Sequence, residues 1–220
     1  MATSRSRSST RSRKSRRASS APRSASSSPR TPFGLQDSVV ESALTTGELS
    51  PLLEEYFGAP QYAELRQLAR DASTRTMRGG PRVLILPGIM GSKIGKDSKI
   101  PLFDDVLWVD PIDVAAGRLP DIALPRGRDL RAVGVILLAY LKLKLQLRAG
   151  GMNADFHPFD WRRSIPELGR ELKTKLDGIG KDVFLVAHSM GGLVSRSAIA
   201  QGASCKRLIM LGTPNFGPPT

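Results

Sequence analysis

An α/β fold, with a mostly parallel sheet and helices on both faces, is what this sequence predicts. Three observations lead there. Short apolar runs at Val83-Leu84-Ile85-Leu86, Val183 to Ala187 and Leu208-Ile209-Met210-Leu211 have the length and composition of strands buried on both faces. Segments of helical period lie between such runs, and that alternation implies parallel pairing through crossover helices. Pro87-Gly88 and His188-Ser189 each stop a run abruptly, as loops do at the carboxyl ends of parallel strands.

Residues 1–32 are rich in Ser and Arg, hold three prolines and offer nothing to bury, so they are expected to be disordered. Residues 33–78 are expected to form a helical N-terminal extension. Val39, Val40 and Leu44 make one apolar face, Leu49, Leu52, Leu53, Tyr56 and Phe57 a second, and Tyr62, Leu65, Leu68 and Ala69 a third. Pro60 separates the last two. A partial α/β domain over 79–220 opens at Gly79-Gly80-Pro81, and its first strand is Val83 to Leu86. Phe103 to Pro125 is loop-rich, with prolines at 111, 120 and 125. Asp129 is placed to cap a helix running from Leu130 to about residue 148. The period-two alternation from Leu141 to Leu147 would also suit a strand, but length and the Ala149-Gly150-Gly151 stop favour the helix. Met152 to Phe156 follows as a strand, and Leu168, Leu172 and Leu176 mark one face of a helix over Glu167 to Leu176. The last elements are the strand ending at Ala187, a helix from Met190 to about Gln201, and the strand Leu208 to Leu211. Strands are thus expected to alternate with helices throughout.

The net charge of +13 suggests a nucleic-acid binder until it is divided. Nine of the 33 basic side chains and none of the 20 acidic ones fall in residues 1–32, so the remainder carries only +4. The tail has no aromatic residue for base stacking, which argues against a specific nucleic-acid partner and leaves a solvated arm or an anionic surface. Its composition also fits an organellar transit peptide. Nothing reads as a secretory signal, and the longest apolar run, Val133 to Leu141, is half a membrane span, so a cytoplasmic location is favoured. The single cysteine, Cys205, provides neither a disulfide framework nor a metal-ligand pair, and no cofactor or metal is expected.

The chemistry is concentrated at Ala187-His188-Ser189-Met190-Gly191, an A-x-S-x-G variant of the G-x-S-x-G turn. Such a turn holds a serine in a strained strand-to-helix corner and needs small residues two positions to either side. Ser189 is therefore the candidate catalytic nucleophile. The backbone N–H of Met190 and that of Ile89, in Pro87-Gly88-Ile89-Met90-Gly91, are the candidate donors to an oxyanion. The 31 residues after Ser189 contain no Asp, Glu or His, so the acid and base of a triad are missing. His188 is expected to be a packed or hydrogen-bonded neighbour of the turn. His157 precedes the nucleophile, against the usual chain order, and is a weak candidate base. Asp160-Trp161-Arg162 is expected to hold a structural ion pair, and Ser92 and Lys93 to lie in a solvated loop.

Pro87-Gly88-Ile89-Met90-Gly91-Ser92, Leu107-Trp108-Val109, Asp160-Trp161-Arg162, Ala187-His188-Ser189-Met190-Gly191-Gly192 and Gly212-Thr213-Pro214 follow in an order that resembles the lecithin:cholesterol acyltransferase-like α/β-hydrolases. The resemblance covers about residues 82–217. It implies an α/β-hydrolase core, an acyl-enzyme on Ser189, lipid ester substrates and contact with a membrane or lipid surface. It also implies that the acid and base come from a further C-terminal segment or a second chain, so that residues 1–220 alone turn over slowly. The rival expectation is a non-catalytic hydrolase-like scaffold with a basic surface-binding tail.

Overall fold

A computed structural model of the chain describes residues 32–75, 80–96 and 102–217. The expected disorder of the tail therefore lies, but for Pro32, outside the described residues. The described elements are α1 (Asp37–Thr46), α2 (Ser50–Phe57), α3 (Ala59–Arg75), β1 (Arg82–Leu86), β2 (Ser92–Lys96), β3 (Asp105–Trp108), α4 (Pro111–Ala115), β4 (Arg131–Val135), α5 (Leu137–Ala149), β5 (Asn153–Phe156), α6 (Ile165–Ile179), β6 (Val183–His188), α7 (Met190–Ala200) and β7 (Arg207–Leu211).

Four strands form a parallel sheet in the order β5-β1-β6-β7. The fold is α/β, with helices on both faces of this sheet. Alternation along the strands divides the core. Val83, Ile85 and Val186 face one side, with α1, α2, α3 and α5 over them, and Leu44, Leu65 and Leu141 are buried there. Leu84, Leu86, Leu185 and Ala187 face the other side and pack against Leu168, Leu172 and Leu176 of α6 and Val194 and Ala198 of α7. The helices of 33–78 thus share one apolar core with the sheet. Outer strand β7 stays wet: Ile209, Met210 and Leu211 are each about two-fifths exposed.

Local signals explain the helix ends. Gly47 closes α1 with φ 88° and gives its N–H to the Ala43 carbonyl. Ser164 and Glu167 form a reciprocal capping box at the start of α6, with Pro166 in its first turn.

Four expectations are corrected. A second sheet, antiparallel in the order β3-β2-β4, breaks the strand–helix alternation. The segment from Leu130 does not start a helix: Arg126–Asp129 is a 3-10 turn, Arg131–Val135 is strand β4, and the helix begins at Leu137. β4 pairs along its length with β2, and Asp37 accepts the Val135 N–H at 2.9 Å, so tertiary partners capture five residues whose apolar run continues into a helix. The loop-rich stretch after Phe103 likewise contains β3 and α4.

Ser92 and Lys93 are not in a solvated loop either, since both are buried in β2. Ser92 Oγ accepts the Phe159 N–H, and its carbonyl accepts the Trp161 indole N–H, each at 3.1 Å. Lys93 Nζ donates to the Leu35 carbonyl and to Asp37 Oδ1, at 2.9 and 2.8 Å. A charge buried this deeply persists only when paired and hydrogen-bonded, and here it is both.

Asp160 and Arg162 form the expected ion pair, through Nε–Oδ1 at 2.7 Å and a second nitrogen to Oδ2 at 2.6 Å. The remaining guanidinium donors reach the carbonyls of Ile122, Gly127 and Leu130, so all five N–H groups are used. One side chain therefore fastens the 119–130 loop to the end of β5. Both partners are about nine-tenths buried, so Arg162→Ala strands a buried carboxylate and three carbonyls. A loss of about 3–5 kcal/mol is expected in urea unfolding, and Arg162→Lys, with one ammonium for a five-donor fork, should recover only a minor part of it.

Candidate functional site

Ser189 turns the chain from β6 into α7. Its backbone lies at φ 50° and ψ −120°, a region that glycine favours and a side chain enters at a cost of about 1–3 kcal/mol. Four described non-glycine residues have positive φ, and two of them, Met90 and Ser189, stand in the loops that leave β1 and β6. The Ser189 N–H donates to the Leu211 carbonyl at 2.8 Å, which secures the corner to the end of β7. Its hydroxyl caps nothing in α7, and the side chain is half-buried.

The loop after β1 lies directly against this turn. β1 and β6 pair in register with Leu86 opposite Ala187, so their loops leave the sheet at one level. A Cβ at Gly88 would stand 2.9 Å from His188 Nδ1 and 3.1 Å from Ser189 Cβ. One at Gly191 would stand 2.5 Å from the Pro87 carbonyl oxygen and 2.9 Å from Leu86 Cβ. Glycine at 191 is required by close approach of backbone to backbone, and glycine at 88 leaves room for the His188 ring and Ser189 Cβ.

The two predicted donors lie in this contact zone. Neither the Ile89 nor the Met190 N–H is given to another described residue. Met190 opens α7, so its N–H belongs to the first-turn donors that a helix leaves free, at the positive end of its dipole. Ile89 is more than half exposed.

His188 is hydrogen-bonded, as expected, with its Nδ1 2.9 Å from the Tyr140 hydroxyl. His157 sits past the end of β5, which β1 separates from β6, and its backbone N–H bonds Ile85. Burial, with Lys175 adding repulsion, pushes its pKa down to about 4. Among the described residues, no hydrogen bond joins either ring to Ser189. Sequence reading missed Tyr140, which lies 48 positions from His188 within an ordinary helical pattern and belongs to no motif.

Ile85, Leu143, Val186, Leu211, Tyr140 and His188 help to line an apolar cavity of about 240 Å³ at the strand ends. A more polar cleft of about 640 Å³ lies around Arg162, Arg163 and Glu171, and neither it nor the apolar cavity is lined by Ser189, Ile89 or Met190. Compared with protein-family models, curated proteins and solved structures, the chain matches none.

Two outcomes follow from these positions. The unfolded chain takes a proton on His157 near pH 6.5 and the folded chain near 4, so stability from this group is full above pH 6.5 and declines toward pH 4. The unfolding midpoint should fall between pH 6.5 and 5, and His157→Gln should reduce that fall; equal slopes would show that His157 titrates normally. Ser189→Gly, which relieves the φ strain, should raise stability by about 1 kcal/mol in urea unfolding, whereas Ser189→Ala, which keeps a Cβ, should not.

Proposed function

We propose that this protein is a serine-nucleophile enzyme of the α/β-hydrolase type that acts on lipid esters, as an acyltransferase or a lipase or phospholipase. The single observation that carries this is the strained Ser189 corner pressed against the Pro87-Gly88-Ile89 loop. A fold has little use for backbone strain at a serine unless its hydroxyl is needed. In the reaction, Ser189 Oγ attacks the ester carbonyl and the amides of Ile89 and Met190 receive the negative charge that develops on its oxygen. The ester C–O bond breaks, the alcohol leaves with the serine proton, and the acyl group passes from Ser189 to water or a second alcohol. The apolar cavity beside His188 and Leu211 suits a hydrocarbon chain.

The second reading is a non-catalytic scaffold that binds an anionic surface through its basic tail. What favours it is that, among the described residues, neither histidine ring is hydrogen-bonded to Ser189. Serine is a weak nucleophile without a base, yet an oxyanion hole and substrate binding alone retain about a thousandfold over water. Slow but Ser189-dependent chemistry is therefore expected of residues 1–220. A fluorophosphonate probe should label the wild type on Ser189 and leave Ser189→Ala unlabelled, and turnover of a short p-nitrophenyl ester should be weak and lost in the same variant. Equal labelling of the two proteins, or none in either, would favour the scaffold.

A further inference from the structure

Tyr140 stands at the centre of a hydrogen-bond chain for which the reaction outlined above has no part. It lies in the first turn of α5, and only 9% of it is exposed. Its hydroxyl accepts the Gly88 N–H at 2.9 Å, in a buried contact. The same oxygen is 2.9 Å from His188 Nδ1. Gly88 can only donate, so the phenol oxygen is the acceptor in that bond, and the direction of its second bond follows the tautomer of the His188 imidazole. The phenol oxygen is then fixed from two sides, by residues that flank the two loops of the site.

We propose that Tyr140 is a positioning residue for the oxyanion hole: by holding the Gly88 N–H, it sets the direction of the next amide, that of Ile89. This rests on Ser189 being the nucleophile. Gly88 and Ile89 are joined by one planar peptide, so the backbone angles at Gly88 aim the Ile89 N–H. Glycine has the widest freedom in those angles, and an anchored N–H removes it. Close packing adds a second restraint. A Cβ at Gly91 would stand 2.9 Å from the Tyr140 hydroxyl, and the Gly91 N–H closes the loop onto the Gly88 carbonyl at 3.0 Å. Tyr140 thus touches both ends of the Gly88–Gly91 turn, and its hydroxyl bonds Gly88 and His188 rather than Ser189. Oxyanion donors act through preorganisation, so a donor that must be reoriented during the reaction loses much of its effect.

The experiment is the rate of Ser189 phosphonylation by a fluorophosphonate, separated into a binding constant and a maximal rate, for wild type, Tyr140→Phe and Ser189→Ala. The probe's P–O group seeks the same two amides as an ester oxyanion. Tyr140→Phe is expected to lower the maximal rate by roughly ten- to hundredfold, with the binding constant within about twofold. Thermal unfolding accompanies each variant, and if the Phe variant does not fold, Tyr140→Met removes the hydroxyl with a more adaptable side chain. An unchanged maximal rate in a folded Tyr140 variant, with Ser189→Ala unlabelled, overturns the role of Tyr140 and leaves the nucleophile standing. A wild type that does not label, or labels equally in Ser189→Ala, overturns the nucleophile and the role of Tyr140 with it. A loss confined to the binding constant also overturns the proposal, because it would place Tyr140 in the pocket wall.

Discussion

The in-register parallel pairing of β1 with β6 is the constraint on which the rest of the site depends. Leu86 stands opposite Ala187, and the next residues of each strand leave the sheet together. Two loops that begin side by side must either diverge or tolerate contact at backbone distance. They remain in contact because the positions that meet are glycines, Gly88 against the Ser189 turn and Gly191 against Pro87 and Leu86. The strain at Ser189 follows from the same geometry, since the chain must reverse from strand to helix within one residue while β7 holds its N–H. That strain is sustained by a core in which Leu185, Ala187, Val194 and Ala198 are almost wholly buried.

Charge inside this protein reinforces junctions between elements, several of which already share an apolar core. Lys93 ties β2 to the start of α1 through Asp37. Lys144 of α5 reaches Glu41 of α1 and Asp155 of β5, and Arg148 reaches the other oxygen of Glu41. Burial pushes the Asp155 carboxyl up, but the Lys144 hydrogen bond and charge, with help from the Phe156 N–H, outweigh it and hold the group below its usual range. With Arg162 and Asp160, these pairs fix how the N-terminal helices, the small sheet and the 119–130 loop sit on the main sheet. Pairs of this kind contribute less to net stability than to uniqueness, because desolvation offsets much of the attraction while any mispaired arrangement strands a charge.

Much of the fold was legible in the sequence because its signals are local. The apolar runs of β1, β6 and β7, the four-residue spacing of Leu168, Leu172 and Leu176, and the Gly150-Gly151 stop each depend on residues within one element. The small sheet was hidden for the opposite reason. Ser92-Lys93-Ile94-Gly95-Lys96 has a lysine where a strand interior would be apolar, and it is the Leu35 carbonyl and Asp37, far away in the chain, that make that lysine acceptable. Residues 130–135 misled because Leu130 to Leu141 is nearly all apolar, and periodicity cannot distinguish a buried strand from a buried helix in such a run.

For the site, the sequence by itself determined which residue is strained and which backbones must approach: A-x-S-x-G and Pro-Gly-Ile-Met-Gly both state their geometry in small residues at fixed spacing. The tertiary structure alone decided what each polar side chain does there. Tyr140 became a neighbour of Gly88 and His188 only when α5 packed over β1 and β6. His157 was removed from Ser189 by the intervening strand β1, a fact of strand order that no spacing along the chain contains. Turn chemistry is written within a few residues of the turn, whereas a hydrogen bond between distant residues exists only once the sheet order and helix packing have set its length.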